Sequence, residues 1–342
     1  MTEPTHTPGA ATPALPRATL GRGAVPVTRL SFGAAALGNL FAPVDPAAAR
    51  AAVDAAWDSG IRYFDTAPHY GLGLSERRLG EALADRPRDA FTVSTKVGRL
   101  LVPGPGEGDD LANGFAVPAT HRRVWDFSAD GVRRSVEESL ERLGLDRVDV
   151  VFLHDPDDHA EEAFGEGYPA LERLRAEGVV GAIGAGMNQV AMLTRFVQDT
   201  DVDVVLCAGR YTLLDQSALT DLLPAAADRG TSVVVGGVFN SGLLADPRPG
   251  ATYDYAAAPD ALLERAQRMA AVAARHGIPL RAAALAFPSG HQAVSSVLVG
   301  MRSEAEARDG AALFGAPVPA AFWAELVAEG LLHEDVPVPQ GR

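Results

Sequence analysis

Short runs of strand-forming apolar residues alternate with longer segments of helical periodicity along most of this chain. This alternation is typical of a parallel sheet with helices packed outside it. Eight strand–helix units favour closure into a (β/α)8 TIM barrel. A doubly wound open sheet is the alternative, but no G-x-G-x-x-G turn follows the first strand. The strands are predicted near residues 29–33, 63–65, 91–96, 148–153, 180–183, 202–206, 231–235 and 295–299.

Helix start and stop signals agree with this order. Asp45 followed by Pro46 predicts a capped helix start, Ser128 predicts another, and Gly178 predicts a helix end. A final helix near residues 319–329 follows the eighth unit and is predicted to be an appended C-terminal element. The other clear helical segments are predicted at residues 75–84, 128–143, 162–177, 217–229 and 260–276.

Two stretches break the alternating pattern. Residues 101–127, after the third strand, are rich in Gly and Pro, and a long loop of this kind is typically a lid or a binding loop unless it is disordered. Residues 1–15 are rich in Thr, Pro and Ala, and they lack the basic start and apolar centre of a signal peptide. Residues 1–18 are therefore predicted to be a flexible tail. The remainder, residues 19–342, is predicted to be a single barrel domain.

Composition narrows the class of protein. The 342 residues are 47% hydrophobic, which is enough for a sizeable core, and no apolar run is long enough to span a membrane. A net charge of −14 argues against nucleic acid and anionic membranes as partners. The single cysteine, Cys207, excludes an intramolecular disulfide and suits a reducing compartment. We therefore expect a soluble, cytoplasmic protein that is a monomer or a homodimer.

Four chemically active residues follow the ends of consecutive strands. Asp65, Lys96 and His154 close the second, third and fourth predicted strands, and Tyr70 lies just beyond Asp65. In a barrel all parallel strands end at the same face, and neighbouring strands are about 5 Å apart, so these groups can meet. The alternative is a buried Asp–Lys pair with a structural Tyr and a structural His, and for any one of these residues taken alone a structural role is favoured. Four such groups at consecutive strand ends favour a catalytic interpretation.

The expected chemistry of this cluster is proton transfer. Tyrosine has an ordinary pKa near 10, so it is a poor proton shuttle at neutral pH. A neighbouring lysine ammonium favours the phenolate, and an aspartate paired with the lysine keeps the ammonium charged. A histidine beside the tyrosine can donate a hydrogen bond to a substrate oxygen. No Cys, His or Asp cluster has metal-ligand spacing, so no metal site is predicted.

The segment Asp65-Thr66-Ala67-Pro68-His69-Tyr70-Gly71, followed by Ser75-Glu76, resembles the signature of the aldo-keto reductase superfamily. Ser94-Thr95-Lys96 and the histidine ending the next strand also match, and the resemblance extends in order from Gly21 to about Phe314. It implies a catalytic tetrad of Asp65, Tyr70, Lys96 and His154. It also implies an NAD or NADP cofactor that lies extended across the barrel mouth without a Rossmann motif.

The resemblance also implies roles in cofactor binding. Asn188 would contact the nicotinamide carboxamide and Tyr211 would stack on the ring, although Cys207-Ala208-Gly209 replaces the glutamine that many relatives carry before this tyrosine. Residues 236–243 match the loop around the pyrophosphate, and residues 300–303 match the adenosine-ribose segment. The cofactor residues of these two segments are Gly236, Val238, Asn240, Gly242, Leu243, Gly300, Arg302 and Ser303.

Two acidic residues in the implied adenosine site bear on the choice of cofactor. Glu306 stands where NADPH-preferring relatives often carry Gln or Arg. Asp309 is adjacent to Gly310, which replaces the usual adenine-contacting Asn. A carboxylate at this position repels a 2′-phosphate, so the sequence favours NAD over NADP.

Stretches at residues 32–40, 207–215 and 299–303 resemble the branch of the superfamily that holds sugar dehydrogenases and pyridoxal 4-dehydrogenase. This resemblance implies oxidation of the anomeric carbon of an aldose to a lactone, with Tyr70 as the general base. The predicted substrate residues are Tyr70, His154, Asn39, His69 and Trp125. Trp125 is included because a Trp face packs on sugar C–H surfaces. The alternatives are an NADPH-dependent aldehyde or ketone reductase, an enzyme similar to pyridoxal 4-dehydrogenase, and a nucleotide-bound regulatory subunit.

Overall fold

The computed structural model describes residues 15–22, 25–104, 106–254 and 256–340. Eight parallel strands follow one another in chain order around a closed barrel, which confirms the predicted TIM-barrel fold. Their mostly apolar sequences are expected for strands that are covered on both faces. The strands are Leu30–Gly33, Tyr63–Asp65, Thr92–Val97, Val150–His154, Ala182–Met187, Val204–Ala208, Ser232–Gly236 and Val294–Gly300.

Helices surround this barrel, and local capping explains several of their ends. The side chain of Asp45 accepts hydrogen bonds from the backbone N–H groups of Ala47 and Ala48, and Ser128 accepts one from Gly131. The fourth helix contains one π-helical turn, Ala163–Gly167, between Ala160–Glu162 and Tyr168–Ala176. The other helices are Pro46–Asp58, Leu74–Leu83, Ala129–Leu143, Val190–Asp199, Leu222–Arg229, Asp260–Arg275, Leu280–Ala286, Glu304–Gly315 and Ala320–Ala328.

An N-terminal hairpin closes the barrel at the amino ends of the strands. Its strands, Arg17–Leu20 and Val25–Thr28, are antiparallel, and Leu20 and Val27 are buried against side chains of the barrel interior. The sequence placed residues 17 and 18 in a flexible tail, which is wrong for these two, because they begin the hairpin. Residues 1–14 of the predicted tail lie outside the described residues. The hairpin leaves the opposite end of the barrel as the open one.

The segment predicted as a long loop after the third strand folds into two hairpins instead. Arg99–Pro103 pairs with His121–Trp125, and Asp109–Asp110 pairs with Phe115–Pro118, both antiparallel. Arg123 fastens this segment to the loop after the second strand, because its guanidinium contacts both carboxylate oxygens of Asp110 and the carbonyl of His69, at 2.6–2.9 Å. The segment therefore forms a structured wall beside the barrel mouth.

The C-terminal helix Ala320–Ala328 packs against the helix Asp260–Arg275, as an appended element. In the ranges that the structure describes, no single helix is long and apolar enough to cross a membrane. Glu304–Gly315 and Ala320–Ala328 meet the length and composition test only when taken together, and the chain bends by 88° between them.

Candidate active site

A buried ion pair lies where the second and third barrel strands end. Lys96 Nζ is 2.6 Å from Asp65 Oδ2, and each side chain is only 2% exposed. The other Asp65 oxygen accepts a hydrogen bond from Ser94 Oγ at 2.7 Å, and Lys96 also donates to the carbonyl of Thr66 at 2.9 Å. Its third contact is the hydroxyl of Tyr70, at 3.1 Å. Asp65, Lys96 and Tyr70 thus form one hydrogen-bonded chain.

Two opposing effects set the proton affinity of Tyr70. Burial is the larger one and raises the pKa of its phenol to about 12, whereas the charge of Lys96 lowers that pKa. The lowering by Lys96 is predictable from the sequence, whereas the larger effect of burial is not. Burial also lowers the pKa of Lys96, but attraction to Asp65 and Tyr70 outweighs burial, so the net pKa is raised. The lysine therefore stays charged beside the phenol.

Two histidines face this tyrosine. The rings of His154 and Tyr70 are perpendicular, with centroids 5.8 Å apart, and the His69 ring lies 5.6 Å from that of His154. Burial, reinforced by Arg99, Lys96 and other positive groups, lowers the pKa of both imidazoles, that of His69 to about 2. Both rings are therefore neutral at physiological pH. A neutral imidazole can donate one hydrogen bond to a substrate oxygen.

These groups line a cavity of about 640 Å³ at the barrel mouth, a size typical of small-molecule sites. Apolar side chains and the hairpin segment form much of its wall, and Phe115 packs beside Tyr70 with ring centroids 6.0 Å apart. Tyr70, Lys96, His154 and His69, all predicted from the sequence, lie together here. Asp65 is placed directly behind Lys96.

Two charged residues on this wall, Arg99 and Asp155, are not among the site residues predicted from the sequence. Arg99 Nη2 is 2.5 Å from Asp155 Oδ2, and that oxygen is 3.5 Å from His154 Nε2. Burial lowers the pKa of Arg99 and raises the pKa of Asp155, while each partner opposes the shift of the other. The available signal was their position, since each follows a predicted strand end by only one to three residues.

Two predicted substrate residues lie away from this cavity. Asn39 uses its side chain to brace the chain, because its Oδ1 accepts from Val44 N–H and from Arg78 and its Nδ2 donates to the Ala116 carbonyl. Trp125 is 42% exposed and is absent from the cavity wall. Its ring instead lies under the guanidinium of Arg99, 4.4 Å from the ring centroid. Neither side chain lines the first cavity, so direct substrate contact by these two residues stays a prediction that this geometry does not support.

A second cavity, of about 490 Å³, continues from the first. Val238, Asn240 and Gly242 of the predicted pyrophosphate loop line it, and Asn188 lies on the walls of both cavities. Asn240 is buried with its Oδ1 unpartnered among the described residues. Gly237 takes a φ of 63°, and a Cβ atom at this position would lie only 3.0 Å from the backbone nitrogen of Gly209. This open, glycine-bearing cradle with an unsatisfied polar atom fits an extended nucleotide.

Several predicted cofactor residues do not reach this second cavity. Tyr211 is fully buried, and its ring packs against Phe287 with centroids 5.1 Å apart, so it is not placed to stack on a nicotinamide. Leu243 is also fully buried, and Gly236 is a buried strand residue. Ser303 caps the helix Glu304–Gly315 by accepting a hydrogen bond from the Glu306 N–H. Ala208 and Gly209 line the cavity near Asn188 instead.

The far end of the second cavity carries paired charges. Gly300, Arg302, Glu306 and Asp309 line it as predicted, together with Arg281, which is not among the predicted residues. Arg281 Nη1 is 2.5 Å from Asp309 Oδ2, and Arg302 Nε is 3.5 Å from Glu306 Oε1. Glu306 also accepts a hydrogen bond from the Arg302 backbone N–H at 2.9 Å. Both arginines of this end are thus already paired with carboxylates.

No group of three or more His, Cys, Asp or Glu side chains within the described ranges is arranged to hold a metal ion. The arrangement at the barrel mouth instead provides a phenol held by an ammonium, two neutral imidazoles and a groove for a long ligand. Such a set can move a proton to or from a substrate oxygen next to a bound redox cofactor.

A family model described as the aldo/keto reductase family matches residues 29–328. The chain therefore belongs to the aldo/keto reductase family, and it is an NAD(P)-dependent oxidoreductase that acts on a small molecule. It is similar in structure to an aldo-keto reductase from Bacillus halodurans in its holo form, with a TM-score of 0.74 at 25% identity over 94% of this chain and 98% of that one.

Curated relatives are more similar in sequence. The chain is 49% identical to the D-threo-aldose 1-dehydrogenase of a Pseudomonas species, over 90% of this chain and 95% of the relative. It is 41% identical to the pyridoxal 4-dehydrogenase of Microbacterium luteolum, over 92% and 97% of the two chains. It is 33% identical to the L-galactose dehydrogenase of Arabidopsis thaliana, over 86% of each.

Proposed function

We propose that this enzyme oxidises the anomeric carbon of an aldose to a lactone. The observation that carries the proposal is the hydrogen-bonded chain from Asp65 through Lys96 to Tyr70, which opens into a cavity lined by histidines and by the Arg99–Asp155 pair. These imidazoles and charged groups, set in an otherwise largely apolar wall, can hydrogen-bond the hydroxyl groups of a polyhydroxylated substrate. The 49% identical D-threo-aldose 1-dehydrogenase supports the same substrate class.

In this proposal Tyr70, as phenolate, removes the proton of the anomeric hydroxyl. Lys96 stabilises the phenolate through its ammonium, and Asp65 keeps that ammonium charged and in place. Neutral His154 donates a hydrogen bond to the reacting oxygen and orients it. A bound nicotinamide dinucleotide supplies the acceptor for the hydride that leaves the anomeric carbon. Asn188 and the loop 237–242 would hold this cofactor in the groove that joins the two cavities.

A substrate panel tests this function. Purified enzyme with NAD or NADP at mildly alkaline pH is expected to produce the reduced-nicotinamide absorbance with L-fucose, L-galactose or D-arabinose. Absence of oxidation with every aldose, together with NADPH consumption on aldehydes, would replace the proposal with a reductase. Pyridoxal belongs in the same panel, because the 41% identical relative is a pyridoxal 4-dehydrogenase and the aromatic ring of Phe115 lies on the cavity wall.

We further propose that NAD is the preferred cofactor. Glu306 and Asp309 line the far end of the second cavity, and each is paired with the arginine that would otherwise bind a 2′-phosphate. A phosphate there would have to displace a carboxylate and would be repelled by it. The dinucleotide without that phosphate avoids this cost.

The variant Glu306→Gln is expected to shift the ratio of kcat/KM for NADP over NAD toward NADP by about tenfold, because it removes one like charge from the phosphate position. The amide oxygen can still accept the hydrogen bond from the Arg302 N–H. Glu304→Gln is the matched control: Glu304 lies in the same helical turn but pairs with Arg308, outside the cavity wall. An unchanged ratio in the Glu306 variant would contradict the proposed role of this carboxylate.

We also propose that the barrel and its N-terminal hairpin, residues 17–342, form one domain, which acts as a monomer or a homodimer in the cytoplasm. Burial of Leu331 and Leu332 and close packing of Gly290 against Pro337 support a C-terminal segment that is part of the barrel domain. The free thiol of Cys207 is fully buried, and burial raises its pKa to about 12, so it is an unreactive core group.

A further inference from the structure

The Arg99–Asp155 pair occupies a fixed position on the wall of the first cavity. Arg99 is held on two sides, by the 2.5 Å contact with Asp155 and by the ring of Trp125, whose centroid is 4.4 Å from the guanidinium carbon. Its side chain is only 13% exposed. Such a guanidinium is pre-organised, because little side-chain entropy remains to be lost when a ligand binds.

The backbone of Asp155 adopts an unusual conformation that fixes the position of this carboxylate. Its φ is 42°, in the left-handed region that non-glycine residues rarely adopt, and its N–H donates to the carbonyl of Gly186 at 3.0 Å. Such conformations persist only where the surrounding structure enforces them, and they are enriched at functional sites. Asp155 directly follows His154, so this turn aims a carboxylate at the same cavity as the imidazole.

Two residues that line the first cavity have polar atoms without a hydrogen-bond partner in the described part of the protein. Arg99 Nε and His69 Nδ1 are buried without a hydrogen-bond partner among the described residues. Buried polar atoms of folded proteins are nearly always partnered, so two such atoms around one cavity point to a ligand that completes them. Neither residue is required for proton transfer by the chain of Asp65, Lys96 and Tyr70.

The position of the pair relative to His154 defines what it can recognise. Asp155 Oδ2 lies 3.5 Å from His154 Nε2, which is longer than a strong hydrogen bond. A substrate oxygen held by His154 would therefore have the carboxylate and the guanidinium on its flank. A carboxylate accepts a hydrogen bond and a guanidinium donates one, and a hydroxyl group can satisfy both at once.

We propose that Arg99 and Asp155 bind the hydroxyl group on the carbon next to the reacting carbon of a polyhydroxylated substrate. Asp155 accepts the hydrogen bond of that hydroxyl, and Arg99 donates one to its oxygen. The inference rests on the proposed aldose oxidation and specifies how the same cavity selects sugars. An analogue without this hydroxyl cannot make the hydrogen bonds that the charged pair offers, and the loss of such bonds is the stronger form of discrimination.

The test compares an aldose that the enzyme oxidises with its 2-deoxy analogue, using the wild-type chain and the variant Asp155→Asn. Asparagine tolerates the left-handed backbone conformation better than other substitutes do. The variant is expected to lower kcat/KM for the aldose by about 10- to 100-fold, since hydrogen bonds to charged groups are the strong ones. For the 2-deoxy analogue the change is expected to stay under about threefold.

Two further variants serve as a control and as an independent test of the same proposal. Asp157→Asn removes a carboxylate two positions away that bonds to Gln189 outside the cavity wall, and it is expected to leave both substrates unaffected. Arg99→Gln is expected to show the same selective loss as Asp155→Asn, and it decides the question if the latter variant does not fold. Equal losses for both substrates would overturn the proposal and leave Asp155 as a residue that positions His154. If the wild-type chain oxidises no aldose, the proposed function fails first and this inference falls with it.

Discussion

Replacing Tyr70 with phenylalanine is expected to lower kcat for aldose oxidation by about 10³-fold or more, because the variant has no group to take the substrate proton. Binding of the nicotinamide nucleotide, followed by fluorescence titration, is expected to change by less than about threefold, because the missing hydroxyl is not part of the second cavity. Loss of turnover with retained nucleotide binding would show that Tyr70 acts in the chemical step and is not needed to form the cofactor site. It would also exclude a purely regulatory role for the bound nucleotide.

The folded state is expected to tolerate this change. Lys96 Nζ keeps its contacts with Asp65 at 2.6 Å and with the carbonyl of Thr66 at 2.9 Å when the phenol is removed. Tyr211→Phe is the matched control, because it removes another buried tyrosine hydroxyl that has no partner in the described part of the chain. This control is expected to keep full activity. A Tyr70→Phe enzyme with more than about a tenth of the wild-type kcat would disprove the assigned role.

The predictable part of the site is the part that strand order determines. Asp65 pairs in register with Ser94, and Lys96 pairs with Phe152, so neighbouring parallel strands bring the predicted side chains to one face. Strand type and strand ends are legible in a sequence, because apolar runs and their polar terminators are local patterns. The prediction that Asp65, Lys96, Tyr70 and His154 can meet therefore required only the barrel.

The unpredicted part depends on contacts between distant residues. Trp125 was chosen for its side-chain type, but its strand pairs antiparallel with Arg99, and this pairing places the ring beneath the guanidinium and away from the cavity. The short strands of the hairpin segment, separated by Gly and Pro, gave too weak a pattern to be recognised. The left-handed backbone of Asp155, at a φ of 42°, is one that aspartate adopts more readily than most residues, but aspartates in other conformations are far commoner, so residue type alone does not predict it.

Tyr211 shows that the orientation of a side chain is not predictable from a family resemblance either. An aromatic residue in a matching segment was predicted to stack on the nicotinamide, but Phe287, 76 positions later in the sequence, covers its ring in the core. Family resemblance carries a residue's position along the chain more safely than the direction of its side chain. Packing against remote elements decides that direction, and it is invisible to a local pattern.

Replacing Lys96 with methionine is expected to move the pH dependence of aldose oxidation to higher pH. Tyr70 must lose its proton to act as the base, so activity rises with pH toward its pKa of about 12. Lys96 lowers that pKa, and its removal raises it, so at each pH below the pKa a smaller fraction of Tyr70 is phenolate. The kcat/KM profile for oxidation should therefore lie at lower values and shift to the alkaline side of the wild-type profile. In the reduction direction Tyr70 must be protonated, and near neutral pH it is protonated both in the wild type and in the variant. The pH profile for reduction should therefore not shift near neutral pH.

Stability requires a second variant, because Lys96→Met leaves Asp65 buried without its partner. Breaking a buried ion pair in this way typically costs about 3–5 kcal/mol. The double variant Asp65→Asn/Lys96→Met removes both charges and is expected to recover most of the melting temperature. Activity should not recover, because Lys96 lowers the pKa of Tyr70 more than Asp65 raises it, so losing both still leaves the phenol harder to ionise. Recovery of activity together with stability would mean that the pair only supports the fold, and that Tyr70 does not need an ammonium beside it to act as the base.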